Sequence, residues 1–421
     1  MLELKGNPNY AAFIYEVTQT HPLDGLDNLV GVNVGGYQAL VPKTTKPGDL
    51  FVAVVAGTQI SETFASALNL HRDSSLNADT NQTGYLENNR RVKAIRLRGN
   101  ASNALLLDIN LFPVDLSGER VGTEFDHING VEFSRKFVVP AKGNTNNGGA
   151  VAKKHKSGVT PEQFPEHYDT PQWFRVSDEF KGKDVTVTQK VHGSSIRASW
   201  VEVDKSRKWY ERLLGLPAQK EWKFVVGSRR VIKTEGDGAH WYSTDIWSDY
   251  AKKHNLAEAL PNGVMIYGEL IGWLPDGTPI QWGYTYNLPK GQAALYIYRV
   301  TVAGADGTHY DLSDAAMREF AAQRGLKVVP LLASFSHVEA EEGCLAHFLE
   351  LYEDTKFCSY PRAFREAPVP LSPDSPCDEG VVIRAEGITP HVAKYKFPMF
   401  YEFEEAQFSR EVIDLETSED M

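Results

Sequence analysis

A lysine that ends one strand and is followed two residues later by His-Gly is the arrangement in this chain best suited to carry chemistry. In Thr188-Gln189-Lys190-Val191-His192-Gly193-Ser194-Ser195 the lysine follows the alternating run Asp184-Val185-Thr186-Val187-Thr188. It precedes a second alternating run, Ile196-Arg197-Ala198-Ser199-Trp200-Val201. Both runs suit β-strands, and Gly193 permits a tight turn between them. Lys190 is then left pointing into whatever the two strands frame. Standing alone, such a lysine is more often a solvated hairpin residue than a reactive amine. Five short motifs downstream shift that balance: Gly227-Ser228-Arg229-Arg230, Met265-Ile266-Tyr267-Gly268-Glu269-Leu270-Ile271-Gly272, Leu295-Tyr296-Ile297-Tyr298, Asp378-Glu379-Gly380-Val381-Val382-Ile383-Arg384 and Ala393-Lys394-Tyr395-Lys396. Lys394 and Lys396 are two apart on one strand, so they project to one face.

In this order the six motifs resemble those of the ATP-dependent RNA ligases among the covalent nucleotidyltransferases. The His-Gly form of the first motif matches the RNA ligases, whereas DNA ligases and capping enzymes more often carry Asp-Gly. The resemblance implies three steps. A lysine nitrogen attacks the α-phosphorus of ATP and expels pyrophosphate, AMP passes to an RNA 5′-phosphate, and a 3′-hydroxyl displaces AMP. Lys190 is the implied nucleophile. A free lysine has a pKa of about 10.4, so nearby cations must favour the neutral amine, and Lys394, Lys396 and a metal ion would supply them. The same two lysines would clamp the α-phosphate. Glu269 and Glu379 correspond to the carboxylates that handle the ribose hydroxyls and position magnesium (or manganese), an ion satisfied by one or two carboxylates. Arg229, ahead of Arg230, would contact ribose or phosphates, and Tyr298 would stack on adenine, with Arg299 where relatives often carry Asp. Gln189, where relatives carry Glu, would offer its amide to the adenine edge. His192 would orient the RNA end or the phosphate, and Ser194 and Ser195 are weaker candidates for contact.

Length and composition bound this reading. A chain of 421 residues implies two or three domains. Its 42% hydrophobic and 24% charged content is that of a soluble globular protein. No apolar run is long enough to span a bilayer, and Met1-Leu2-Glu3-Leu4-Lys5 does not open a signal peptide. Cys344, Cys358 and Cys377 form neither a disulfide framework nor a zinc pattern, which fits a reducing cytoplasm. A net charge of −11 argues against non-specific coating of nucleic acid. Residues 151–240 nevertheless hold 17 Lys/Arg against 12 Asp/Glu, while the tail after Phe400 is acidic. A basic cleft in an acidic protein binds phosphate locally.

The elements that must position these residues fall into two regions. From Tyr10 to Pro140, Ala11–Val17, Leu29–Val34, Tyr37–Val41 and Asp49–Val55 read as short strands, with Lys46-Pro47-Gly48 as a turn. This spacing implies a small barrel. The stretch Arg90-Arg91-Val92-Lys93-Ala94-Ile95-Arg96-Leu97-Arg98-Gly99, followed by Ser102-Asn103-Ala104-Leu105-Leu106-Leu107, resembles the N-terminal barrel of the Deinococcus-type RNA ligases. Asn103-Ala104 stand where that pattern has Gln-Gly. The resemblance implies an OB-like fold, a surface often used for nucleic acid, whose Arg91, Lys93, Arg96 and Arg98 would contact RNA or pyrophosphate; Ser195, in the later region, is a further candidate for such a contact. The Gly/Asn-rich segment 141–160 reads as a flexible linker. Beyond it, strands in hairpins mixed with helices, such as Ser313–Arg324 and Leu345–Asp354, indicate α+β rather than a βαβ series.

The whole reads as an OB-like barrel at 1–140, a linker at 141–160, and a nucleotidyltransferase domain of antiparallel sheets with flanking helices at 161–421. The expected function is ATP-dependent RNA ligation by a cytoplasmic monomer. Its expected partners are nicked duplexes or paired ends, RNA/DNA hybrids being a further candidate, with no membrane involved. The competing readings are a related DNA ligase or capping-type transferase, and an OB-fold RNA-binding protein with a dead transferase domain.

Overall fold

Strand Leu50–Val55 carries six consecutive apolar residues, a pattern for a strand covered on both faces. The computed structural model, which describes residues 1–138, 158–205, 207, 209–215, 217–233, 245–337, 345, 348–349 and 364–409, shows why it is so apolar. Val52 and Val54 join one core with Ala12, Ile14, Phe64, Leu107 and Phe125. Phe51, Ala53 and Val55 join another with Phe13, Val32, Val34, Tyr37 and Leu106. The sheet between these cores has seven strands: Glu124–Phe125, Ala12–Glu16 (β1), Leu50–Val55 (β4), Ala104–Asp108 (β5), Tyr37–Pro42 (β3), Leu29–Val34 (β2) and His21–Pro22, in that order. Its path is open, ending in two-residue strands at both edges, and among the described residues no pairing closes it into the expected barrel. Asn103 locks its centre: the side chain accepts the Gln38 N–H at 2.6 Å, and the backbone N–H donates to the Gln38 carbonyl.

The chain divides into two units. The first comprises Met1–Val138, Pro171–Val176 and Lys396–Glu411, so the helix Pro398–Ser409 (α4) counts with it. In this unit Glu62–Ala67 (α1) is capped by Ser61.

The second unit holds two antiparallel sheets. The four-stranded one runs Leu331–Phe335 (β11), Val185–Lys190 (β6), Gly380–Ala385 (β12) and His391–Lys396 (β13). The larger runs Ile232–Lys233, Lys220–Gly227 (β8), Ser194–Asp204 (β7), Val264–Gly272 (β9), Ala293–Ala303 (β10) and His309–Asp311, with Lys327–Val328 pairing parallel to β10. Its apolar face carries Ile196, Ala198, Ile266, Leu270 and Ile297 against Ile246–Lys253 (α2) and Asp314–Gln323 (α3). Ser313 caps α3 by accepting the Ala316 N–H. The opposite face carries Val201, Val203, Met265 and Tyr267 under Phe164. The architecture is mixed α+β, rich in sheet. Among the described residues no helix is long and apolar enough to cross a membrane. Most of the expected linker, Cys344, Cys358, most of the expected helix at 345–354 and the end of the acidic tail lie outside the described residues.

Candidate active site

Register brings the expected nucleophile and its carboxylate together. Lys190 is the last residue of β6 and pairs with Gly380, the first of β12. Glu379 therefore enters the site one residue ahead of that pair, and Lys190 Nζ lies 2.6 Å from its Oε1. Gly380 has φ of +148°, a region open to glycine but poorly tolerated by other residues. The Glu379 side chain is 2% exposed and that of Lys190 23%, so the pair is screened from one side only.

The turn after Lys190 depends on glycine for a reason other than backbone freedom. Gly193 has no positive φ; a Cβ there would sit 2.2 Å from the Leu270 carbonyl and 2.9 Å from Glu269 Cγ. The glycine lets the turn lie flat against β9. That contact sets the next strand, where Ser195 pairs with Glu269 and its hydroxyl donates to Glu269 Oε2 at 3.2 Å. Trp247 of α2 donates to the Ser195 carbonyl at 2.9 Å. His192 is buried, with its Nδ1 3.8 Å from Glu379 Oε2 and its ring edge-on to Tyr284 at 5.1 Å.

The other expected residues are placed as follows. Gln189 is fully buried and its amide is engaged: Nε2 donates to Asp378 Oδ2 at 2.7 Å and to the Val369 carbonyl, while Oε1 accepts the Val369 N–H. Arg229 pairs with Asp169. Tyr298 packs beside Tyr267 at the register shift in β10, and its hydroxyl shares a 2.7 Å hydrogen bond with His167 Nδ1. Behind this cluster, buried Arg197 donates to the Ser228 and Phe164 carbonyls and so fixes the strand end that carries Arg229. Lys394 lies mid-strand on β13 and is half-buried. Lys396 ends that strand and counts with the first unit, where Nζ pairs with Glu404 at 2.8 Å over the Phe400 ring.

In the first unit the basic stretch is also paired. Arg91 meets Glu405 at 3.1 Å, Lys93 meets Glu87 at 2.7 Å, Arg96 meets Glu402 at 2.7 Å, and Arg98 donates to the Gly25 carbonyl. Burial raises the Glu405 carboxyl above the usual carboxylate range, against the pull of Arg91 and Lys93.

Residues 281–287 and 369–378, which carry none of the motif roles inferred from sequence, support the site. Gln281 donates to the Gly193 carbonyl, Tyr286 accepts the His192 N–H, and Tyr284 donates to the Cys377 carbonyl. Burial pushes the Tyr284 and Tyr286 hydroxyls far above the usual phenol range, and Asp378 adds to both shifts. In Gln281-Trp282-Gly283-Tyr284-Thr285-Tyr286 every second residue is aromatic, but that alternation does not say what the side chains hold.

A primary amine beside one buried carboxylate, with a second on the adjoining sheet, can act as a nucleophile once its proton is taken. Among the described residues no group of three or more His, Cys, Asp or Glu forms a metal cage. Magnesium does not require one, since it keeps several waters and takes one or two carboxylates with substrate phosphates. Buried Glu269 and Glu379 fit that demand. Residues 183–396, just over half of the chain and spanning every motif from Lys190 to Lys396, match the model of the RNA ligase family. The chain belongs to the RNA ligase family. Its fold is similar to solved structures of a Naegleria gruberi RNA ligase. One with pyrophosphate gives a TM-score of 0.59 at 18% identity, covering 94% of this chain and 98% of that one. A lysine-to-alanine variant with ATP and manganese gives 0.57 at 18% identity, covering 94% and 99%. A lysine-to-methionine variant with AMP and manganese gives 0.60 at 18% identity, again covering 94% and 99%. At this identity the likeness is one of fold. No curated protein sequence matches the chain.

Proposed function

We propose that the chain is an ATP-dependent RNA ligase that joins 3′-hydroxyl and 5′-phosphate RNA ends through a lysyl–AMP intermediate. The observation that carries this reading is the Lys190–Glu379 pair, 2.6 Å apart at the register-fixed end of β6 within the family-matched region. The Lys190 nitrogen forms a bond to the α-phosphorus of ATP, and the bond to the bridging oxygen breaks, with pyrophosphate leaving with the electron pair. The ammonium must first give up its proton, and in this reading Glu379 Oε1, 2.6 Å away, takes it. An oxygen of the RNA 5′-phosphate then displaces the Lys190 amine from phosphorus. Finally a 3′-hydroxyl attacks the activated 5′-phosphate and AMP departs.

Glu269 and Glu379 would hold a divalent cation, magnesium or manganese, which would neutralise charge on the non-bridging oxygens. Lys394 and Lys396 clamp the α-phosphate in this reading; the present pairing of Lys396 with Glu404 must then be exchanged for phosphate. Arg229 serves ribose or phosphate, Tyr298 the adenine face, and His192 the incoming end. For Gln189 to read the adenine edge, its amide must share the bonds it now gives to Val369 and Asp378. The first unit is read as an OB-like domain that contacts RNA or pyrophosphate, in the manner of the Deinococcus-type enzymes. The substrate is a nicked duplex or paired ends, sealed by a monomer.

Incubation of the chain with α-labelled ATP and magnesium, followed by denaturing electrophoresis, tests the reading. Covalent label on the wild type and none on Lys190→Ala is the expected result. Absence of label on the wild type, or label that survives Lys190→Ala, overturns it.

A further inference from the structure

Two side chains from one loop hold one N–H and one carbonyl of the turn that follows the nucleophile. The Tyr286 hydroxyl accepts the His192 N–H at 2.6 Å, and Gln281 Nε2 donates to the Gly193 carbonyl at 2.8 Å. Both side chains are buried, at 2% and 5% exposure. The loop is itself pinned to the segment leading to Glu379. The Thr285 N–H donates to Ser372 Oγ at 3.0 Å, Asn287 donates to the Leu371 carbonyl at 2.9 Å, and Ser375 donates to the Gly283 carbonyl at 2.5 Å. Tyr286 and Asn287 have φ of +51° and +54°. A tyrosine in the left-handed region is strained and persists only where its surroundings over-determine it. In that conformation the phenol lies under the His192 N–H.

We propose that Tyr286 and Gln281 are positioning residues for the Lys190 amine. They fix the Val191–Gly193 turn at its His192 N–H and its Gly193 carbonyl and thereby fix the direction in which Lys190 leaves β6. The turn cannot anchor itself by bulk, because Gly193 must stay bare to lie against Leu270. Burial and the nearby Asp378 raise the phenol above its usual range, which keeps it neutral. It therefore presents a neutral acceptor next to the carboxylates without adding to their charge. In-line attack demands an amine held to within a fraction of an ångström, and misplacement of about 1 Å costs roughly a hundredfold in rate.

The assignment rests on the ligase reading, and the test separates the two. Single-turnover uptake of AMP from labelled ATP is measured for the full chain, Tyr286→Phe and Gln281→Leu, over a range of ATP concentrations. Each variant is also offered a nick whose 5′-phosphate already carries AMP, a step that makes no bond to Lys190. The expected result is a ten- to hundredfold fall in the rate constant for AMP uptake. Half-saturation by ATP should stay within about threefold of wild type, and sealing of the pre-adenylylated nick, which His192 of the same turn serves, should fall less than AMP uptake does. Because both side chains act through one turn, the double variant should lose less than the product of the single losses. Wild-type uptake in both variants overturns the assignment. So does a parallel loss of uptake rate, ATP affinity and pre-adenylylated sealing, which marks a purely structural role. A wild-type chain that takes no label removes the ligase reading and this assignment with it.

Discussion

Glu379→Gln separates the two things the carboxylate does beside Lys190. The substitution keeps the volume and an acceptor oxygen but removes the charge and the capacity to take a proton. In the structure the carboxylate is 2% exposed and receives Lys190 Nζ at 2.6 Å. A hydrogen bond to a charged group contributes about 1.5–3 kcal/mol. The amine is 23% exposed, so the lower end of that range applies. The variant should therefore lose no more than about 1.5 kcal/mol of stability. Its rate should suffer more, since loss of a positioned proton acceptor costs about a hundredfold or more. The pH dependence supplies the sign. Without Glu379 the amine must lose its proton to solvent, so the rate should climb as pH rises. The gap to wild type then narrows as pH rises. Single-turnover AMP uptake measured against pH reads both quantities. A variant within threefold of wild type at pH 7 refutes the reasoning; so does one that is slow at every pH with an unchanged profile, which would reduce Glu379 to a fixed charge.

Lys190→Arg should take up no label, as Lys190→Ala should not, because a guanidinium stays protonated in proteins; gel autoradiography checks it. Lys394→Ala and Lys396→Ala, made separately, should each slow AMP uptake by more than about tenfold in single-turnover assays, through loss of a charge that stabilises the transition state. Gly193→Ala would place a methyl 2.2 Å from the Leu270 carbonyl. It should therefore destabilise the protein by at least about 1–3 kcal/mol in denaturant titration and abolish labelling.

Strands of the site were legible because their alternation is local. Val185–Lys190 and Ser194–Asp204 contain short runs, Val185–Val187 and Ile196–Trp200, in which every second residue is apolar, and Lys190 lies just past the first run. The need for Gly193 was legible in outcome but not in cause: a tight turn was expected, whereas the glycine is required by a strand some eighty residues away. Gln281 and Tyr286 were invisible for the same reason, since their partners are backbone groups that any residue at 192 or 193 would provide. Among the described residues the seven-stranded sheet of the first unit follows an open path where the sequence implies a small barrel, because short strands at even spacing look alike in both. Closure depends on edge pairing, which leaves no local pattern.

The basic stretch of the first unit was also read as a set of equals, and the structure ranks its members. Arg91 is 8% exposed, sits over the Phe137 ring and pairs with Glu405, itself 8% exposed. Parting such a pair leaves an uncompensated buried charge, at about 3–5 kcal/mol. A phosphate would have to replace Glu405 in place to meet Arg91, so this residue is better suited to anchoring α4 than to exchanging ligands. Arg96 is half-exposed and its pair with Glu402 is of the kind that contributes about 0–1 kcal/mol. A phosphate oxygen can displace that carboxylate at little cost, since one charge-assisted bond replaces another. Arg98 is exposed and donates only to the neutral Gly25 carbonyl among its described hydrogen bonds. Contact with RNA or pyrophosphate in this unit should therefore fall on Arg96 and Arg98. Arg96→Ala and Arg98→Ala should lower the salt dependence of RNA binding by about one unit of slope each, whereas Arg91→Ala should show first as lost stability. Equal salt slopes for all three variants, at unchanged stability, would return the stretch to a set of equals.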